Sequence, residues 1–350
     1  MFNTRTIVLS LACTLGLVTA CDAGLDEEFD VSAEGEFSFR SGGQGGPRFN
    51  TGTVNGTPVA AVDTKNQELD GVRLDAVYVR HGAQWLKIDE GGLEVDGGAV
   101  IGTHTQGAVT MTFIGEDFEE SWWLFQVNGQ PSWLQIAEIS NGADTGLHDP
   151  LHTMLLRRLS PDRLTYRFVD HSSFSNPLEY CEADEFGMRW SLMFNDLYVD
   201  EDSGDFSLRE DTIYFGCTRG AVAKTAIFGF EYDAPGGGGV SMQKAETGTR
   251  MTRADYCADG NSHTETGQEI GILDRDGITS HPENLDNEAL WMLEGGAACV
   301  NLHREKNLLL NEPFVCDDLT EIPLCGTQQE MQQLWDDDLG YIWSQANGAV

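Results

Sequence analysis

Five residues within one short stretch have side chains that could do chemistry together. They are Asp255, Cys257, His263, Thr264 and Asp274 in the run Arg253 to Ile278. A Cys257 thiolate with His263 as base would be a nucleophilic pair. His263 oriented by Asp255 or Asp274, with Thr264 alongside, would be the core of a hydrolase. Two other stretches mimic metal sites. His148-Asp-Pro-Leu-His152 has the spacing of a zinc helix, but Pro150 breaks a helix and Asp149 stands where the motif needs Glu. Asp200-Glu-Asp-Ser-Gly-Asp205 resembles half of a calcium loop, with Gly204 displaced and Asp211 at the twelfth position in place of Glu. Each has a simpler reading: a bridged cysteine, a turn histidine and a solvated acidic hairpin tip. The residues therefore point to no catalytic set, no metal and no cofactor.

The compartment decides the reading of Cys257. Arg5, the apolar run Ile7 to Val18 and then Val18-Thr-Ala-Cys21 resemble a lipoprotein signal. The expected arrangement is a signal over 1–20, with Cys21 as the lipidated first residue of the mature chain. The run is too short to span a bilayer. Of eight cysteines, Cys13 leaves with the signal and Cys21 takes the lipid. Cys181, Cys217, Cys257, Cys299, Cys316 and Cys325 remain, an even set that oxidises in an exported chain to three bridges among fifteen possible pairings. Joining neighbouring expected strands or closing short loops gives Cys181–Cys217, Cys257–Cys299 and Cys316–Cys325.

Composition narrows the partners. The chain of 350 residues has 57 acidic against 21 basic residues, a formal charge of −36. Such a surface repels nucleic acid and anionic lipid and attracts divalent cations weakly.

The elements that must position these residues are mainly strands. Residues 21–50 are acidic and then Gly-rich, a flexible tether. From 51 to 140 short alternating runs, such as Val72, Leu74, Ala76 and Tyr78, are punctuated by Gly-Gly and Asn-Gly turns. Trp122, Trp123 and Trp133 read as core or rim aromatics. The region 151–350 holds all six bridging cysteines. Its apolar spacing from Met242 to Ala254 predicts a short helix despite Gly248. Ile270 and Ile272 predict a strand over 268–273, and 289–303 predicts a hairpin. Met331, Leu334, Trp335, Leu339, Ile342 and Trp343 recur at helical spacing and predict a C-terminal amphipathic helix over 328–346. The expected fold is mainly β, a sandwich or small-barrel-like body with a few short helices and a disulfide-stapled C-terminal half.

The motif as a whole adds a further indication. Arg253-Ala-Asp-Tyr-Cys257 is followed by Gly260, His263-Thr264, Gly267, Ile270, Asp274 and Gly277-Ile278. Upstream stand Phe215-Gly-Cys-Thr-Arg-Gly-Ala-Val-Ala-Lys224 and Gly229-Phe230, and downstream Trp291, Glu294-Gly295 and Ala298-Cys-Val300. Over residues 212–305 this resembles the ADYC domain family of bacterial envelope proteins. The resemblance implies an exported, lipid-tethered protein and brings no activity with it. Thr225 and Gly248 stand where the family pattern has cysteines. Their joint absence implies one lost bridge, with the two positions still facing each other, the end of a strand against the helix.

The function expected from these features is a lipid-anchored, non-enzymatic binding or interaction module. Its partner would be an envelope or extracellular protein or glycan. Its place would be the outer membrane or the periplasmic side of the inner membrane. The alternatives are a hydrolase built on His263 with Asp255 or Asp274, and a calcium-dependent adhesion protein.

Overall fold

The structure is a computed structural model that describes residues 48–55, 57, 59–141, 159–160, 162–173, 177–279 and 285–348. Cys21, the 1–20 segment, nearly all of the 21–50 tether and the His148/His152 pair lie outside the described residues. Alternating runs and Gly-rich turns yield a mainly β fold, with no closed barrel among the described residues.

The largest sheet has nine strands. Its main path runs Ala61–Asp63, Phe206–Cys217, Ser191–Val199, Leu164–Asp170, Gln130–Asn141, Trp122–Val127, Val72–His81, Gln84–Lys87, and Leu178–Glu179 pairs beside Leu164–Asp170. Strands from 51–140 and from 151–350 are thus interleaved in one sheet. A three-stranded antiparallel sheet of Leu93–Asp96, Ala99–Gln106 and Val109–Ile114 shares its core. There Val95, Val100 and Phe113 pack with Trp123, Phe125, Phe168 and Phe215. Period-two alternation sends Trp123 into this core, where its Nε1 donates to Ser121 Oγ at 3.0 Å, and sends Trp122 to the other face, edge-on to Trp133. The Asp200–Asp205 segment is the turn between Ser191–Val199 and Phe206–Cys217, as an acidic hairpin tip should be. Asp200 Oδ1 accepts the Asp202 and Ser203 amides, which closes the turn on its own backbone.

A second, five-stranded sheet runs Arg48–Phe49, Glu269–Asp274, Ile342–Ala346, Asp286–Trp291, Ala297–Val300. Its strand Glu269–Asp274 carries the expected Ile270 and Ile272, both buried. Two secondary-structure expectations fail in this half. The C-terminal helix covers only Gln328–Asp336, opened by a Thr327/Glu330 capping box. The chain turns at Asp338, whose φ is 63°, and Ile342–Ala346 becomes the middle strand of the sheet. Thr225, expected at the end of a strand, belongs to the buried helix Ala221–Ile227. That helix packs on the helix Met242–Arg253, which Ser241 caps and Ala254 ends in the left-handed conformation with φ 53°.

The bridges are Cys181–Cys217, Cys257–Cys316 and Cys299–Cys325. All six cysteines pair, but the expected Cys257–Cys299 and Cys316–Cys325 exchange partners. Alternation along Ala297–Val300 is the reason. Val300 faces the cluster of Tyr256, Trp291 and Cys316, so Cys299 faces the opposite side with Met331 and Trp343, where Cys325 lies. The hairpin of Phe314–Val315 and Glu321–Ile322 presents Cys316 to the motif instead.

Candidate functional site

The signature side chains are spent largely on holding elements together. Arg253 leaves the helix end buried and donates to the carbonyls of Gly52 at 3.3 Å, Ser203 at 3.4 Å and Gly260. It thereby ties the segment after the strand Arg48–Phe49, the acidic hairpin tip and its own loop. Asp255 is fully buried and accepts the amides of Asp259 and Gly260, each at 3.2 Å. Burial raises its carboxyl to a pKa of about 6, against the pull of Arg253, whose Nη1 lies 3.9 Å away, and of those amides. Gly260, with φ +85°, sits so close to the hairpin tip that a Cβ would meet Asp202 O at 2.4 Å.

Tyr256 is the centre of the constellation. Its hydroxyl donates to Glu288 Oε1 at 2.7 Å, lies 3.0 Å from Leu302 O and accepts the Arg304 amide at 3.1 Å. Its carbonyl takes the Ala297 amide at 2.7 Å, which is why residue 296 is glycine: a Cβ there would stand 2.0 Å from Tyr256 O. The ring stacks on Trp291 at 5.4 Å and on His263 at 5.6 Å. Cys257 is bridged to Cys316, so the proposed thiolate does not exist in this fold.

The hydrolase constellation is not assembled. Asp274 accepts the amides of Asp276, Ile278 and Thr279 and the Thr279 hydroxyl, closing the Asp276-Gly277 turn. Thr264 bonds with Asn50 and Gln268. Neither Asp255 nor Asp274 hydrogen-bonds to the His263 ring.

The structure gives His263 a different neighbour, absent from the sequence reading. Its ring centroid lies 5.5 Å from that of His303, and Phe314 stands edge-on to His263 at 5.0 Å. A ring nitrogen of each histidine and a carboxylate oxygen of Glu305 lie within 4.8 Å of one another. His263 is half-buried, His303 buried and Glu305 exposed. Burial lowers the pKa of His263. It also lowers that of His303, to about 4, helped by the charges of Lys306 and His263. Both imidazoles are therefore neutral at neutral pH, with lone pairs to offer. His303 and Glu305 lie 40 and 42 positions beyond His263, with no spacing motif to join them.

Beside the Cys257–Cys316 bridge opens a cleft of about 460 Å³. Its rim carries Asp259, Asp317 and Asp318, and its lining includes Asn261, Ala297 and Ile322. Asn261 Nδ2 donates to Asp317 at 3.1 Å, and Asp318 is braced by the Thr320 amide and hydroxyl, both at 2.9 Å.

No curated protein and no solved structure matches the chain. The sequence model of the ADYC domain matches residues 115–306, from the end of the three-stranded sheet to the turn after His303. That span includes the motif, its Tyr256 partners Glu288, Leu302 and Arg304, and the His263, His303 and Glu305 group. The protein belongs to the ADYC domain family.

Proposed function

We propose that this protein is exported, held in the bacterial cell envelope by lipid on Cys21, and acts as a non-enzymatic binding or interaction module. The observation that supports this reading is the use of the signature itself. Arg253, Asp255, Tyr256 and Cys257 are committed to the fold, and Tyr256 and Cys257 also line an open cleft. The cleft combines an acidic rim of Asp259, Asp317 and Asp318 with an apolar lining at Ala297 and Ile322. A lysine or arginine side chain next to an apolar residue, on an envelope or extracellular protein, has the complementary chemistry. Titrating the mature chain with a Lys/Leu-rich peptide tests the reading by calorimetry. Saturable binding is expected, weakened by salt and reduced several-fold in the Asp317→Asn/Asp318→Asn double variant. A peptide that binds no better than its Asp/Leu counterpart would refute it.

A further inference from the structure

We propose that His263, His303 and Glu305 form a binding site for a divalent transition-metal ion of the zinc class. Two imidazoles and one carboxylate are a three-ligand set that leaves coordination positions open for water or an outside ligand. Calcium and magnesium prefer oxygen cages, so this donor set selects against them.

The three donors come from segments that the fold fixes. His303 ends the strand Leu302–His303, and its neighbour Arg304 is locked by Glu288 at 2.8 and 2.7 Å and by Thr252 O at 3.1 Å. Tyr256 takes the Arg304 amide, and the Glu305 amide donates to His263 O at 2.8 Å. The backbones of His263, Arg304 and Glu305 are thus tied to one another through the motif, which holds the three donor side chains on one rigid support. His303 is 6% exposed, and among the described residues nothing hydrogen-bonds to its Nδ1. Glu305 adds a negative charge to the two imidazoles, and the exposed Asp259 and Asp317 stand on the rim of the neighbouring cleft. Zinc bonds of about 2.0–2.1 Å hold tetrahedral ligand atoms roughly 3.4 Å apart. The observed 4.8 Å limit therefore closes by side-chain rotation, above all of the exposed Glu305. The site does not depend on the cleft reading above.

The test is zinc titration of the full mature chain by calorimetry, with melting temperature followed in parallel. One ion per chain and a raised melting temperature are expected, with no comparable shift from calcium or magnesium. Glu305→Gln, on an exposed side chain that leaves the fold intact, and His263→Gln should each weaken binding at least about tenfold. Cobalt in place of zinc should give visible absorption bands that change in Glu305→Gln. The acidic surface and the His148/His152 pair are competing sources of zinc affinity, so His148→Gln/His152→Gln serves as the control and should bind normally. Absence of saturable zinc binding, binding that survives Glu305→Gln unchanged, or binding abolished by the His148/His152 change would each overturn the proposal.

Discussion

Arg304 and Glu288 form a doubly hydrogen-bonded ion pair in which neither side chain has any exposed surface, with Nε–Oε1 at 2.8 Å and Nη2–Oε2 at 2.7 Å. The pair is closed by the motif tyrosine, whose hydroxyl donates to the same Glu288 Oε1 and accepts the Arg304 amide. The strand Asp286–Trp291 and the turn after His303 are thereby fixed to Tyr256, which lies 32 positions before Glu288 and 48 before Arg304.

Removing one partner of such a pair leaves the other charge buried without compensation. Glu288→Ala should therefore lose about 3–5 kcal/mol of stability. Tyr256→Phe, which deletes a hydroxyl bonded to a charged group, should lose about 1.5–3 kcal/mol. Urea unfolding midpoints compare the variants, and a Glu288→Ala protein as stable as the parent would contradict the arrangement.

Non-reducing peptide mapping should recover Cys181–Cys217, Cys257–Cys316 and Cys299–Cys325 and no other pairs. The Cys257→Ser/Cys316→Ser protein should be less stable by about 2–5 kcal/mol, since the bridge closes a long loop between the motif and the 314–322 hairpin.

Thr225 and Gly248 do face each other across the two helices. A Cβ placed on Gly248 would stand 2.5 Å from Thr225 Cγ2. The Thr225 Cβ is one bond of about 1.5 Å further, so the two Cβ atoms would lie within about 4 Å, inside the range for a disulfide. Gly248→Ala alone should destabilise, because overpacking of about 1–3 kcal/mol exceeds the helix-propensity gain of close to 1 kcal/mol. Thr225→Cys with Gly248→Cys should instead bridge spontaneously and add roughly 3 kcal/mol. A thiol count with the melting temperature decides, and two free thiols under oxidising conditions would count against it.

His303 supplies a pH dependence with a definite sign. Its folded pKa is lowered to about 4 by burial and by the charges of Lys306 and His263, against the opposing Glu305, while the unfolded value is about 6.5. Between those values the unfolded chain binds the proton that the folded chain refuses, so stability falls as pH drops through this window. Asp255, raised to about 6 by burial, acts in the opposite direction over roughly pH 4 to 6, where the folded state keeps a proton the unfolded state has lost. The difference between the parent and His303→Gln isolates the histidine. The parent's advantage should be larger at pH 7 than at pH 4.5, and a constant difference would exclude the effect.

Lipid attachment is tested at Cys21. Cys21→Ser should abolish incorporation of labelled fatty acid and release the protein from the membrane fraction, and labelling that persists would refute the anchor.

Local chemistry was legible without coordinates. The strands around Val72–His81 and Glu269–Asp274, the helix Met242–Arg253 and the acidic turn at Asp200–Asp205 follow from side-chain periodicity and turn residues, which act over a few positions. The mainly β class and the oxidation of six cysteines follow from composition and count. Three features belong to the tertiary structure alone. Ile342 and Trp343 continue a helical spacing from Leu334, yet an edge between Glu269–Asp274 and Asp286–Trp291 takes them as a central strand. Short apolar runs fit both periods, and long-range pairing chooses between them. Cys257 takes Cys316 because Cys299 faces the other side of its strand, a matter of alternation and of where the 314–322 hairpin folds. His263 meets His303 and Glu305 because Tyr256, Glu288 and Arg304 draw distant segments together through hydrogen bonds that no sequence spacing encodes.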